Sequence, residues 1–446
     1  MLQAALLLAA SVSGEAALRH ASRLAALGPH PLGSPRVSLA ASYVESQFRE
    51  AGLQEVRRQA FESFGVTGAN VQGVLRGPGT EFIVVAAHHD TAPESPGAYD
   101  DGGGVGVLIE TARVLATDVL RARTVVFVSF DGEEATGRTT VAGSRAYVRE
   151  LGPQARDLVG AFVIEMCGWP GGTPAFQALA YADPLHKDGS LIAPRWLMQA
   201  AARGARNAGA PFAFGDPLIP WLHQAAVRTW RASLYGDDLA FLQARLPAVF
   251  VTDSSFTRFY PEYHQATDIA DQLDPAALER MGRAVVGAVR AIEMAPRGGP
   301  AEPHWFSAFG IMIGATTLVL IGVASIIPGF RLALRAGGRV RTARFVHALL
   351  FGFLLYRNPV PTLFALLLPN LLPLAARRGW GLALALLPAL ALLGLGALAY
   401  YRGFVSGTFL TPWDQVAALG ALGLALVPVK PGGPPARSDG KRRKRR

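Results

Sequence analysis

Four short apolar runs, separated by helical segments, constrain the fold of the first 300 residues more than any other feature. They are FIVVAA at 82–87, TVVFVSF at 124–130, AFVIEM at 161–166 and AVFVT at 248–252. Each run is bounded by polar or turn residues, as expected for strands buried on both faces. Helical patterns lie between them, for example at 104–116, 139–150 and 192–208. This alternation predicts an α/β fold with a mixed, mostly parallel sheet flanked by helices.

The segment ahead of these strands is helical in pattern. From about Ser13 to Leu53, two amphipathic stretches are separated by the Pro-Gly-rich break GPHPLGSP. Residues 1–17 contain a short apolar stretch with no basic residues ahead of it. We interpret this start either as a truncated signal or anchor, or as the first turn of a helix.

Acidic and imidazole side chains cluster where the predicted strands end. The first run leads into His88, His89 and Asp90, and a Gly-Pro-rich loop then brings in Asp100 and Asp101. The later runs lead into Glu133-Glu134 and Glu165, and His264 follows the last run. Because α/β sheets place their ligands at the carboxyl ends of parallel strands, these side chains are expected to meet.

The residue types in this set suit zinc. Zinc binds imidazole and carboxylate, and one carboxylate can bridge two metals. Of two adjacent glutamates, one can bind metal while the other takes a proton from water. Each piece alone has an ordinary structural explanation, such as a turn, a surface pair or a hydrogen-bonded histidine. The ordered set of four is what indicates a two-metal hydrolytic centre.

The same motifs resemble the zinc peptidases of family M28, which include the bacterial leucyl aminopeptidases and the glutamate carboxypeptidases. The resemblance covers roughly residues 18–296. The matching pieces are LAALGPHPLGS at 24–34, HHD at 88–90, PGAYDDGGG at 96–104, EE at 133–134, VIEM at 163–166 and YHQATD at 263–268.

By position, the resemblance implies two zinc ions per chain. One is held by His88 and Glu165, the other by Glu134 and His264, and Asp100 bridges them. It further implies that Glu133 is the general base and that Asp90 orients the His88 imidazole.

Four details of this assignment stay open in the sequence. The bridge is assigned to Asp100 rather than Asp101 by spacing alone. The chain has Gly236-Asp237-Asp238 where the family has a Ser-Asp-His signature, so a pocket histidine is replaced. His89 should point to the opposite face of the strand, away from the metals. Tyr260 and Tyr263 flank the centre, as packing residues or as donors to an oxyanion.

The resemblance implies an aminopeptidase that releases N-terminal residues from peptides. A carboxypeptidase acting on acidic dipeptides is the alternative, and a cyclase of N-terminal glutamine is more remote. A non-enzymatic alternative is an ectodomain that has lost catalysis and is attached to a membrane transporter. Every expected ligand is present, which favours the enzyme.

The region after the peptidase-like domain has a different composition. Residues 305–446 hold 17 of the 43 Lys and Arg residues but only 2 of the 33 Asp and Glu residues. Phe306–Phe330 is an uncharged apolar stretch of 25 residues, and a membrane span needs about 20. Further apolar segments follow at 345–356, 362–376, 381–401 and 411–429. The positive charge therefore flanks apolar segments instead of forming a nucleic-acid-binding stripe, and no nucleic-acid partner is expected.

We therefore predict a peptidase-like domain at 18–298, a linker at 299–305, a transmembrane helical domain at 306–429 and a disordered basic tail at 430–446. We predict about five spans, or three with a re-entrant hairpin. Either number puts both the arginines that follow the first span and the basic tail in the cytoplasm. The peptidase domain is then extracytoplasmic. The expected partners are a peptide substrate and the lipid bilayer.

Overall fold

In the computed structural model, the chain is described at residues 11–118, 121–134, 141–177, 181–182, 190–191, 193–211, 213–214, 236–254, 260–297, 305–308, 311–334, 338–357 and 366. It divides into two compact units. The first comprises Met1–Pro303 with Ser307–Met312, and the second comprises His304–Phe306 with Ile313–Arg446.

The first unit is built on an eight-stranded mixed sheet with the order β1-β2-β4-β3-β5-β10-β6-β9. Its strands are β1 (Gln54–Ser63), β2 (Val66–Leu75), β3 (Phe82–His88), β4 (Thr124–Phe130), β5 (Leu158–Ile164), β6 (Ala175–Gln177), β9 (Ala213–Phe214) and β10 (Ala248–Thr252). Strands β7 (Tyr181–Ala182) and β8 (Ser190–Leu191) form a separate pair. The central strands β4, β3, β5 and β10 run parallel, and β1 and β2 pair antiparallel with their neighbours. Strand β6 is antiparallel to β10 and parallel to β9. This confirms the predicted mixed sheet.

Helices flank the sheet on both sides. They are α1 (Gly14–Ala25), α2 (Pro35–Glu50), α3 (Gly103–Ala116), α4 (Ala142–Leu151), α5 (Arg195–Asn207), α6 (Asp238–Gln243) and α7 (Pro275–Met294). A π-helical turn lies at Ala98–Gly102, and 3₁₀ turns lie at Gly152–Asp157 and Ala270–Gln272. Ser13, Ser34 and Asp274 cap α1, α2 and α7 with side-chain oxygens, and Pro35 and Pro275 stand at the first helical positions. These are standard helix-start signals.

The alternation of side chains along the central strands explains the two helical layers. Phe82, Val84 and Ala86 of β3 lie in one hydrophobic cluster with Tyr147 of α4 and Phe241 of α6. On the opposite face, Phe127 of β4 meets Phe48 of α2 edge to face, with ring centroids 6.4 Å apart. Because both faces are covered, β3, β4 and β5 are buried along their whole lengths.

The described part of the second unit contains α8 (Ala315–Leu334) and α9 (Gly338–Arg357), and strands β11 (Trp305–Ala308) and β12 (Ile311–Gly314) lie around the boundary. The apolar stretch predicted as one helix from Phe306 becomes helical only at Ala315. Gly314, a poor helix former, stands directly before this helix, and β-branched Ile311 and Ile313 favour a strand. None of the helices in the described residues is both long and apolar enough to span a bilayer. The apolar segments predicted at 362–376, 381–401 and 411–429 and the tail at 430–446 lie outside the described residues, apart from Leu366, as do residues 1–10.

Candidate metal centre

Three neighbouring parallel strands deliver most of the centre to one edge of the sheet. β3 ends at His88, Glu133 and Glu134 lie just beyond β4, and Glu165 follows β5 directly. Because β3 lies between β4 and β5, His88 has carboxylates on both sides. All four side chains are buried. The sheet order therefore assembles an imidazole and three carboxylates from segments that are distant in sequence.

The first half of the centre forms around His88, whose side chain is 0% exposed. Its Nε2 atom lies 3.3 Å from Oδ1 of Asp100 and 3.8 Å from Oε1 of Glu165. Ligand atoms of His88, Glu133 and Glu165 all lie within 4.8 Å of one another. This spacing allows three side chains to hold one ion.

The second half forms around His264, which lies in a turn segment before α7. Its Nε2 atom is 3.3 Å from Oδ2 of Asp100 and 3.1 Å from Oε2 of Glu134. Ligand atoms of Asp100, Glu134 and His264 also lie within 4.8 Å of one another. A second set of three is therefore available for an ion.

Asp100 occupies the position between the two halves. One of its oxygens faces His88 and the other faces His264. Asp101, joined to it by a cis peptide bond, has a different task. Its carboxylate accepts the backbone N–H groups of Gly104 (3.1 Å), Met166 (3.1 Å) and His88 (3.4 Å). A Cβ atom on Gly104 would stand 2.2 Å from Oδ1 of Asp101, so this contact requires glycine. Asp100, and not Asp101, is thus the carboxylate that faces both histidines.

Asp90 fixes the turn that carries both glutamates. Its two carboxylate oxygens accept the backbone N–H groups of Glu133 (3.0 Å) and Glu134 (3.2 Å). The expected contact with His88 is made more closely by the backbone carbonyl of Asp90, which lies 3.0 Å from Nδ1, than by the carboxylate, at 3.5 Å. The reason is that the carboxylate oxygens are already engaged by the turn. Asp90 therefore positions groups on two strands at once.

Asp268 supports the backbone at Asp100, a role that the sequence analysis did not predict. Its carboxylate accepts the backbone N–H groups of Tyr99 (2.8 Å) and Asp100 (3.2 Å). The hydroxyl of Tyr260 lies 3.4 Å from the same carboxylate. The only local signal was an aspartate four residues after His264. The contact itself spans 168 residues and required the fold.

The acidity of these groups reflects their crowding in a buried space. Burial raises the pKa of Glu133 well above its usual range, and the neighbouring Glu165 charge adds to this. Burial also raises the pKa of Glu134, to about 7, with a contribution from Asp100. Burial alone would lower the pKa of His264. Its contacts with Asp100 and Glu134 outweigh burial and raise the pKa to about 10. Several carboxylates in one buried space repel each other, and a bound cation would relieve that repulsion.

The unpaired polar atoms of the centre also indicate a site for a cation. Within the described residues, five polar atoms of the centre are buried without a hydrogen-bond partner: His88 Nε2, Asp100 Oδ2, Glu134 Oε1, Glu165 Oε2 and His264 Nε2. Buried polar atoms are usually satisfied, so a cluster of exceptions calls for an explanation. Nitrogen and oxygen donors of this type are ligands that zinc accepts. The residues present therefore fit a metal centre.

Two other sequence expectations concerned side chains near the centre. His89 is buried with Nδ1 3.0 Å from the hydroxyl of Ser129, and burial lowers its pKa to about 3, so it is a neutral residue of the strand's other face. Tyr263 stacks on the His264 ring, with centroids 3.7 Å apart, and burial together with the nearby Asp100 charge raises its pKa. Tyr263 is thus at the centre, whereas Tyr260 contacts Asp268.

One buried carboxylate beside the centre escaped the sequence analysis. Asp237 begins the turn into α6, and no hydrogen bond reaches either oxygen from the described residues. Burial raises its pKa to about 7, and the His88 imidazole acts in the opposite direction. The sequence marked Asp237 only as part of a departure from the family signature. Its closeness to His88 depends on β10 and α6 packing beside β5.

Comparison with known proteins identifies the domain that carries this centre. Residues 70–289 match peptidase family M28. This region is similar to that family, and we refer to it below as the M28 domain. The M28 domain makes the chain a hydrolase of the metallopeptidase class. YfbL of Escherichia coli strain K12, an uncharacterized protein, is 24% identical over 287 residues, which cover 58% of this chain and 82% of YfbL.

Solved structures share the fold of the M28 domain. BSAP, a zinc aminopeptidase from Bacillus subtilis, superposes with a TM-score of 0.51 at 16% identity, covering 66% of this chain and 98% of BSAP. The Porphyromonas gingivalis glutaminyl cyclase gives a TM-score of 0.50 at 22% identity, covering 63% of this chain and 98% of the cyclase. At these identities the likeness is one of fold. It leaves the substrate to be argued from the site.

Proposed function

We propose that the chain is a two-zinc aminopeptidase that releases N-terminal residues from peptides. The observation that carries the proposal is the position of Asp100, with His88 3.3 Å from one oxygen and His264 3.3 Å from the other. One carboxylate between two imidazoles, each with a further glutamate beside it, is the arrangement that a bridged pair of ions requires. The fold shared with a Bacillus subtilis zinc aminopeptidase supports zinc as the metal.

Five side chains would hold the ions: His88 and Glu165 in one half, Glu134 and His264 in the other, and Asp100 in both. When bound, zinc lowers the pKa of a coordinated water and polarises a carbonyl group. Glu133 is the glutamate not needed as a ligand in this scheme. It is held by the Asp90 contact to its backbone N–H. Its raised pKa suits a base that takes a proton from the attacking water and returns it to the leaving amine.

The test begins with the metal. The full chain is purified, its zinc is quantified, and about two equivalents are expected. Glu133→Gln should retain that zinc while its kcat falls by about 10²-fold or more, because removal of a general base costs that much. Glu62→Gln, an exposed glutamate on β1, is the matched control and should behave as wild type. Equal activity in Glu133→Gln would refute the assigned base, and a wild-type chain without zinc would refute the centre.

A substrate panel decides the reaction. It contains aminoacyl p-nitroanilides with free amino groups, N-acylated acidic dipeptides and a peptide with N-terminal glutamine. Hydrolysis of the first group alone supports the aminopeptidase. Turnover of the second supports the carboxypeptidase, and cyclisation of the third supports the reaction of the glutaminyl cyclase that shares the fold. A zinc-loaded chain inactive on all three would favour a binding role for the domain.

We further propose that the second unit associates with a membrane and that the M28 domain lies on its extracytoplasmic side. The support is the excess of positive charge after residue 304 and the exposure of large apolar side chains on α8 and α9, such as Leu320 (64%), Phe345 (55%) and Leu349 (59%). The full chain should sediment with membranes and resist extraction at high pH. A reporter fused after Arg446 should register as cytoplasmic. Recovery of the chain in the supernatant would refute the association.

A further inference from the structure

A cavity of about 440 Å³ lies far from the metal centre, at the amino ends of β3 and β4. It is bounded by the amino-terminal residues of these strands, by β1 and β2, and by the end of α4. Strand β3 runs from Phe82, at the cavity, to His88, at the metal centre. At about 3.3 Å per residue, the two sites are separated by roughly 20 Å. The volume falls in the range of small-molecule sites.

The floor of the cavity is apolar. Val74, Phe82 and Val126 line it, and each is buried with less than a tenth of its surface exposed. All three belong to the hydrophobic cluster that also contains Tyr147. The cavity therefore offers contact surface to an aliphatic or aromatic group of a ligand.

The hydroxyl of Tyr147 is a polar group at this floor. The Tyr147 ring packs against Phe130 and Phe241, with centroids 5.7 and 6.2 Å away, and the side chain is buried. No hydrogen bond to the hydroxyl occurs in the described residues. Arg57 and Glu150 are the charged groups that act on it. Because Tyr147 lines the cavity, its hydroxyl is available to hydrogen-bond a ligand there.

Charges of both signs surround the same opening. Arg76 pairs with Glu55, with Nε 2.7 Å from Oε1, and Arg57 pairs with Glu150 at 3.0 Å. Nη1 of each arginine makes no hydrogen bond to any described residue, so each retains donors for a carboxylate. Asp157 is a third acidic group in the lining. Three carboxylates and two guanidinium groups leave the opening with one net negative charge, which disfavours polyanionic ligands.

We propose that this cavity binds a free amino acid with an apolar side chain, in its zwitterionic form. The ligand carboxylate accepts hydrogen bonds from the guanidinium groups and from the Tyr147 hydroxyl. The ligand ammonium group faces the acidic side chains, and the apolar side chain lies on the floor. The existing ion pairs are about half exposed and of the kind that contributes little, so a ligand can rearrange them at small cost.

The experiment is isothermal titration of L-leucine into the zinc-loaded full chain. Tyr147→Phe and Arg76→Gln should each weaken binding by about tenfold, the effect of one lost hydrogen bond to a charged group. Neither change removes a buried contact, because the tyrosine hydroxyl has no partner and the Arg76 pair is exposed. Arg49→Gln, which removes an exposed arginine of α2 outside the cavity, is the matched control and should bind as wild type. Zinc content is measured in every variant.

Leucinamide lacks the carboxylate, and N-acetyl-leucine lacks the ammonium group. Each should bind at least tenfold more weakly than leucine. The proposal fails if leucine does not bind, or if either derivative binds as tightly as leucine. It also fails if the leucine affinity is unchanged in both variants, because leucine would then bind at the metal centre only. Titration requires no turnover, so this result is independent of the proposed peptidase activity.

Discussion

The two halves of the metal centre differ in how firmly their histidines are held. His88 ends a buried strand, its side chain is 0% exposed, and its Nδ1 atom lies 3.0 Å from the Asp90 carbonyl. The His264 side chain is 35% exposed, and its backbone φ is +60° in a turn. No hydrogen bond from the described residues reaches its Nδ1 atom. A ligand histidine normally donates from its second nitrogen, which fixes the ring. The contrast indicates a firm half built on the sheet and a looser half built on a turn.

The supporting contacts follow the same division. Asp101 ties the His88 half to the backbone of His88 and Met166, and the Asp90 carboxylate holds the turn that carries both Glu133 and Glu134. The His264 ring is supported by stacking on Tyr263, its neighbour in the chain. Since preorganised ligands bind metal more tightly, we expect the His264 half to release its ion first.

The largest effect is expected at the residue common to both halves. Asp100→Ala should reduce bound zinc from about two equivalents to less than one and lower kcat/KM by about 10³-fold or more. Metal ions contribute several kcal/mol to transition-state stabilisation, and each 1.36 kcal/mol is tenfold. Metal analysis and initial-rate assays measure both quantities. Asp271→Ala, at an exposed aspartate, should change neither. Full zinc content in Asp100→Ala would show that the halves do not share this carboxylate.

Separate removal of the two histidines tests the asymmetry directly. His264→Ala should leave about one equivalent of tightly held zinc, because the His88 half keeps its supports. His88→Ala should leave the weaker half alone, so that most zinc is lost on gel filtration in chelator-treated buffer. Both variants should lose about 10²-fold or more in kcat/KM, as expected when one ion of a pair is missing. Equal zinc retention in the two variants would contradict the asymmetry.

Much of the firm half was predictable from the sequence. The strands at 82–88 and 124–130 are readable as apolar runs, and the polar residues that follow such runs lie at the carboxyl edge of the sheet. The strand before Glu165 was predicted at 161–166 and runs from Leu158 to Ile164, so the prediction started three residues late and ended two residues late. Glu165 still follows the strand directly. Local pattern sufficed here because each ligand is adjacent to the strand that positions it.

The His264 half and the aspartates that support the centre could not be predicted as well from the sequence. His264 was predicted from its position after the last apolar run, but it lies in a turn well beyond the end of β10 and not at the end of a strand. Asp101 and Asp268 act through contacts with backbone far away in sequence: Asp101 with Met166, 65 residues away, and Asp268 with Asp100, 168 residues away. Hydrophobic periodicity carries no information about such contacts. The three-dimensional fold is needed to find them.

Asp90→Asn should loosen the turn that carries Glu133 and Glu134, and the contact with His88, without removing a ligand. An amide presents one acceptor oxygen in place of two, so the N–H of Glu133 or of Glu134 loses its partner. We expect kcat/KM to fall about 10- to 100-fold, the usual effect of losing a group that orients metal ligands. Zinc binding should weaken at the His88 half, as measured by competition with a chelator in the His264→Ala background. Unchanged affinity there would mean that the backbone carbonyl of Asp90 alone orients the imidazole.

The smallest effect concerns pH and the looser half. In the metal-free protein the contacts with Asp100 and Glu134 raise the pKa of His264 to about 10, so the ring carries a proton at pH 7 that must leave before it can bind zinc. Zinc affinity at this half should therefore rise with pH, by about tenfold per pH unit for each proton released, and should fall as the solution is acidified. Calorimetric titration in two buffers of different ionisation enthalpy counts the protons released. In His264→Ala the count should drop by about one, whereas an unchanged count would show that the released proton comes from another group of the centre.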